Sequence, residues 1–153
     1  MADFHIAQYN IARMRAPLED LIMAGFVSRL DELNHLGDRT PGFVWRHQEA
    51  DGTSTSVRPY EDERIIINLT VWESIEALHE FTYRSDHGPV YAARHTWFEP
   101  MDGPTLVLWW VTAGHRPDVA EAKARLDLLQ QHGPSPEAFT MKRRFPPPVA
   151  AAR

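Results

Sequence analysis

Five titratable rings recur every four residues in one short stretch: His79, Tyr83, His87, Tyr91 and His95. Four residues is slightly more than one helical turn, so neighbours in such a series share a side of a helix with a slow drift. An imidazole titrates near neutrality and can act as general acid, general base or metal ligand, and a phenol beside it can hydrogen-bond a substrate oxygen. His87 stands out because it lies between Asp86 and Gly88-Pro89, a break at which a side chain can project into a cavity. The same place suits a histidine that caps the following segment or bonds a backbone carbonyl. Pro89 separates His87 from His95, and no His-X3-His pair occurs, so the series does not spell a metal site.

Composition removes several other chemistries. Without a single cysteine in 153 residues, thiol nucleophiles, thiolate zinc sites and disulfides are excluded. A net charge of −5, with no basic block longer than Lys142-Arg143-Arg144, speaks against nucleic acid as a partner, since phosphate binding needs a concentrated positive face. No apolar run approaches the roughly 20 residues of a membrane span, and no glycine-rich phosphate loop, nucleophile-elbow serine or HExxH motif is present. A cytoplasmic protein with no membrane partner is expected. The length suits one domain, 1–145, followed by a Pro/Ala tail, 146–153, with the composition of a disordered segment.

The elements that must position the rings follow from periodicity. Phe4 to Ile11 alternates as a strand and puts Gln8 and Asn10 on one face. Met23, Phe26, Val27, Leu30 and Leu33 make the stripe of a long helix that Gly37 should stop. Gly42 to Gln48 is a second strand, with Phe43, Trp45 and His47 together on one face, and a polar loop separates it from a third and most apolar strand, Arg64 to Trp72. Ser74 is placed to cap a helix that Asp86, Gly88 and Pro89 interrupt, after which a second segment runs through Trp97. Thr105 to Thr112 is a fourth strand, in which Trp109 and Trp110 must point to opposite faces. Asp118 with Glu121 resembles a capping box ahead of a last helix, and Phe139 to Phe145 alternates as a short edge strand.

Strand, helix, strand, strand, helix, strand is the order of an α+β, ferredoxin-like split βαβ sheet with a helix and strand added at the C-terminus. With helices on one face, the Ile66 and Trp72 side and one of the paired tryptophans would remain on the other. Burying such a surface against its own copy predicts a homodimer formed sheet to sheet.

The run Leu69-Thr70-Val71-Trp72-Glu73-Ser74, followed by Ala77-Leu78 and then Phe81, Ser85 and His87, resembles the strand-to-helix signature of the dimeric α/β barrel superfamily. That superfamily includes antibiotic-biosynthesis monooxygenases and haem-degrading oxygenases. The segments MAGF, PGFVWR, YRSDH, WFEPMDGP and LWWV are similar, over nearly the whole length, to one of its uncharacterised bacterial families, a domain of unknown function. The resemblance implies a cavity between sheet and helices in each subunit. In haem-degrading members it implies an asparagine on the first strand, a tryptophan on the second helix and an iron-ligating histidine ten residues later. Asn10 matches the first, the second falls on Phe81, and the third falls near Tyr91 with His87 and His95 to either side.

The expected site therefore has His87, Tyr83 and Asn10 as catalytic groups and Trp45, His47, Tyr91, His95 and Trp97 as substrate-binding walls. The chemistry expected of it is an organic-cofactor-independent oxygenase, isomerase or cyclase acting on an apolar or aromatic small molecule, with histidine as acid and base. Haem held by His87 or His95 is the first alternative. A dimer that binds a ligand without turning it over is the second.

Overall fold

The computed structural model describes residues 3–48, 59–86 and 94–148. Strand β1, Phe4–Met14, is the longest and sits in the middle. A 3₁₀ turn, Leu21–Met23, is capped by Asp20, whose carboxylate accepts from the Ile22 N–H at 3.0 Å, and helix α1, Ala24–Arg39, follows directly. Strand β2, Phe43–Arg46, and strand β3, Ile65–Trp72, form a hairpin. Helix α2, Ile75–Asp86, starts where the Ser74 hydroxyl accepts from the Ala77 N–H at 3.1 Å, as the cap position predicts. A single turn α3, Arg94–Trp97, leads into a two-residue strand β4, Phe98–Glu99. Strand β5, Leu106–Thr112, and helix α4, Val119–His132, complete the elements of the described residues.

All pairings are antiparallel, and the order across the main sheet is β2-β3-β1-β5, with β4 joining the far end of β1 at Arg13 and Met14. This is the split βαβ arrangement that the element order implies. Two ion pairs fasten that end of β1: Arg13 holds Asp62 at 2.8 Å and Arg64 holds Glu99 at 2.9 Å. The backbone N–H of Arg64, helped by the Arg13 guanidinium, keeps the Asp62 carboxyl below the usual carboxylate range.

The two sheet faces differ from the expected division. Residues of one parity, among them Ala7, Tyr9, Leu69, Val71 and Trp109, pack against Ala122, Leu126 and Leu129 of α4. The other parity, with Ile6, Gln8, Asn10, Ile66, Asn68, Thr70 and Trp72, faces α1 and α2. Trp72 and Ile66, expected on a bare face, thus lie under helices, and the opposite face carries α4. The physical reason is that the last helix returns across the sheet and buries its own apolar stripe there. Its start is held by the Asp118 carboxylate, which accepts from the Glu121 N–H at 2.8 Å. The Glu121 side chain, however, does not close a capping box. It accepts instead from Trp109 Nε1 at 3.0 Å and pairs with His115 Nε2 at 2.8 Å, which ties α4 to β5.

Two further expectations change. Helix α1 does not stop at Gly37, because that glycine is buried against the Phe81 ring and the helix runs on to Arg39. The strand expected over 139–145 reduces to one bridge, in which Phe139 and Leu108 exchange both backbone hydrogen bonds at 2.8 and 2.9 Å. Of the tail 146–153, residues 149–153 lie outside the described residues.

Candidate active site

Between the sheet and helices α1 and α2 lies a cavity of about 420 Å³. Its roof is apolar: Phe26, Leu30 and Leu33 come from α1, and Leu78 and Phe81 from α2. Ile66, Phe98, Trp72, Phe43 and Met141 add to its apolar lining. A largely apolar hollow with a few placed polar groups is the usual form of a small-molecule site.

The polar groups are concentrated on the floor. Gln8 and Asn10 on β1 lie opposite Thr70 and Asn68 on β3, and all four line the cavity. A period-two strand puts residues two apart on the same face, so two adjacent strands deliver a patch of four polar side chains inside an apolar surround. Three of them, with Trp72, form a row of hydrogen bonds. Trp72 Nε1 donates to Thr70 Oγ1 at 2.9 Å, Thr70 Oγ1 donates to Gln8 Oε1 at 2.9 Å, and Gln8 Nε2 donates to Asn10 Oδ1 at 2.6 Å. Arg46, His47, Thr82 and Arg94 reach the cavity from its side. Arg46 is tied to Asp38 at 3.3 Å, and no Asp or Glu lines the cavity among the described residues.

The expected site residues separate clearly. Asn10 and His47 line the cavity. Trp45 does not, because a bulge between Phe43 and Trp45 breaks the alternation and turns Trp45 toward the α4 face, where it packs with Val44. Its ring meets His47 edge-on at 6.3 Å. Tyr83 is 57% exposed and outside the wall, since α2 presents Leu78, Phe81 and Thr82 instead. His95 is exposed on α3, where its carbonyl accepts from Arg15 Nε at 2.7 Å. Trp97 is buried, but beneath the start of α1, against Gly25 and the Phe26 ring at 5.8 Å. His87 and Tyr91 lie outside the described residues. Of the two candidate haem ligands, His95 does not line the cavity.

Asn68, Thr70, Asn34, Arg46 and Arg94 also line the cavity, and sequence reasoning did not name them. Asn68 and Thr70 carried a signal, being polar residues at alternate positions of an otherwise apolar strand. Their parity puts them with Ile66 and Trp72, on the face that the sequence alone suggests is free of helices.

A family model matches residues 5–153. The chain belongs to the family described as Domain of unknown function (DUF3291). No curated protein matches this DUF3291 chain. Among solved structures it is similar to SnoaB, described as a cofactor-independent oxygenase from Streptomyces nogalater, at 17% identity and a TM-score of 0.46, over 77% of this chain and 98% of that one. It is also similar to a haem-degrading protein from Mycobacterium tuberculosis, at 17% identity and a TM-score of 0.41, over 76% and 99% of the two chains. A third is described as a putative antibiotic biosynthesis monooxygenase from Chloroflexus aurantiacus, at 14% identity and a TM-score of 0.39, over 75% and 98%. Likenesses at this level lend no activity to the DUF3291 chain.

Proposed function

We propose that this chain is a small-molecule enzyme that takes an apolar or aromatic substrate into the cavity between sheet and helices and works on it without an organic cofactor. The observation that carries this reading is the polar floor of Gln8, Asn10, Asn68 and Thr70 beneath the apolar side chains of α1 and α2 in a hollow of about 420 Å³. Gln8 and Thr70 are buried and Asn10 and Asn68 half-buried, and placing hydrogen-bonding side chains there is costly unless they serve a ligand or one another. Amide donors aimed at a substrate oxygen stabilise negative charge that develops there when a neighbouring carbon loses a proton. His47 also lines the cavity, and its imidazole is the base we assign to that proton. Cofactor-independent oxygenation of a phenol, keto–enol isomerisation and aldol-type cyclisation are reactions that begin with such a step.

The test is turnover. Purified protein is incubated under air with a panel of polycyclic phenols and aryl ketones, and products are followed by mass spectrometry and oxygen uptake. Conversion is expected to fall by about two orders of magnitude in His47→Ala. If His87→Ala falls so far and His47→Ala does not, the acid-base role belongs to His87. Binding with no conversion of any panel member would leave a ligand-binding protein and discard the enzyme. Haemin titration separates the remaining alternative: no Soret band above that of free haemin is expected, and a strong one would move the reading to haem. The sheet-to-sheet homodimer expected from the sequence rested on the Ile66 and Trp72 side, which lies under α1 and α2, while α4 covers the other face. The reading needs one chain only.

A further inference from the structure

The row of hydrogen bonds on the cavity floor has a direction, and that direction names the group a ligand must bring. An indole nitrogen is a donor with no lone pair to offer. The Trp72 ring is held edge-on by Phe43 at 5.4 Å and stacked by Phe81 at 5.2 Å, so its N–H is fixed on Thr70 Oγ1. Thr70 is buried, and among the described residues Gln8 is the acceptor its hydroxyl proton meets, at 2.9 Å. A buried hydroxyl proton left without an acceptor is costly, so the Gln8 atom facing Thr70 is its carbonyl oxygen. The Gln8 amide nitrogen then meets Asn10, at 2.6 Å, and Asn10 answers with its own carbonyl oxygen. Shape alone does not distinguish the two ends of an amide. A donor-only group at the head of the row settles both amides here.

Asn10 is thereby left with its NH₂ group as the atom available to the cavity it lines, and that group has no partner among the described residues. We infer that the ligand carries a hydrogen-bond acceptor, a ketone, enolate or phenolate oxygen, that seats on the Asn10 amide nitrogen while its apolar body fills the roof side. This rests on the cavity being the ligand site. Trp72, Thr70 and Gln8 act as positioning residues, through Asn10.

Two probes of matched shape test it: 2-acetylnaphthalene, whose ketone can only accept, and 2-ethylnaphthalene, which has no polar atom. By calorimetry the wild-type protein is expected to bind the ketone about tenfold or more tightly than the hydrocarbon. Asn10→Asp keeps the bond from Gln8 but turns a carboxylate oxygen on the ligand. It is expected to abolish the preference. Thr70→Val removes the relay at nearly constant volume and should narrow the ketone's advantage to about threefold or less. An unchanged ketone preference in Asn10→Asp overturns the inference and leaves the cavity reading standing. If neither probe binds the wild type, the cavity reading fails and the inference falls with it. Should a variant not fold, the wild type decides by NMR. The ketone, and not the hydrocarbon, should shift the Asn10 side-chain N–H₂ resonances, and signals that ignore both would overturn the inference.

Discussion

On the face away from the cavity, Tyr9 is fully buried and its hydroxyl meets that of Tyr60 at 3.0 Å. Burial pushes the Tyr9 phenol well above its ordinary value, and the bond to Tyr60 adds to this; burial also raises Tyr60. A phenol with a raised folded value keeps its proton when the unfolded chain has already lost it. Stability is therefore fully present below about pH 10, the ordinary tyrosine value, and declines above it, by at most about 1.4 kcal/mol per pH unit for one group. Tyr9→Phe should cost about 1 kcal/mol at pH 7 through the lost hydrogen bond and flatten the decline between pH 10 and 11. Urea unfolding at the three pH values measures this, and an equally steep decline in the variant would assign it to other groups. At this scale the sequence made Asn10 and His47 legible through residue type and strand position. It misplaced Tyr83 and His95 because a four-residue spacing fixes which residues share a side of a helix but not which way that side turns. The stripe of Leu78 and Phe81 took the inward side of α2.

Helix α1 and strand β2 are joined at Gly42, which has a φ of +90° and lies so close to α2 that an added Cβ would overlap the Ala77 methyl. Gly37, inside α1, offers ordinary contact distance to the Phe81 ring, 3.5 Å from an added Cβ. The two glycines should respond oppositely to alanine. Gly42→Ala adds left-handed strain to a clash and should cost about 2 kcal/mol or more, whereas Gly37→Ala trades backbone freedom for helix propensity and should gain up to about 1 kcal/mol. Thermal denaturation of the two variants compares them directly. On the other face, Leu126→Ala should cost about 2–5 kcal/mol, since its side chain is buried between α4 and the sheet. A loss under 1 kcal/mol would mean that α4 does not hold that face in solution. Strand positions and the start of α2 could be read from alternation and a capping serine. The bulge after Phe43 could not, because it inserts a residue without any change in composition, and it carried Trp45 out of the site. Nor could the route of α4 across the sheet, because an amphipathic stripe specifies that a face is buried, not against what.

For the molecule as a whole, the cavity between α1, α2 and the sheet is where stability and function compete. A chain of 153 residues has little core to spare, and a hollow of about 420 Å³ forfeits the dispersion contacts that packed side chains would make. Filling it should therefore stabilise the fold and abolish binding together. Leu30 projects from the middle of α1 into the roof, so Leu30→Trp adds an apolar ring to existing space instead of forcing an overpacked core apart. The expected outcome is a melting temperature equal to or above that of the wild type, with binding of 2-acetylnaphthalene lost. A ligand at about one hundred times its Kd raises wild-type stability by about 2.7 kcal/mol. That increment should be missing in the filled variant, so a melting-temperature rise of the same size in both proteins would place the binding site elsewhere on the chain.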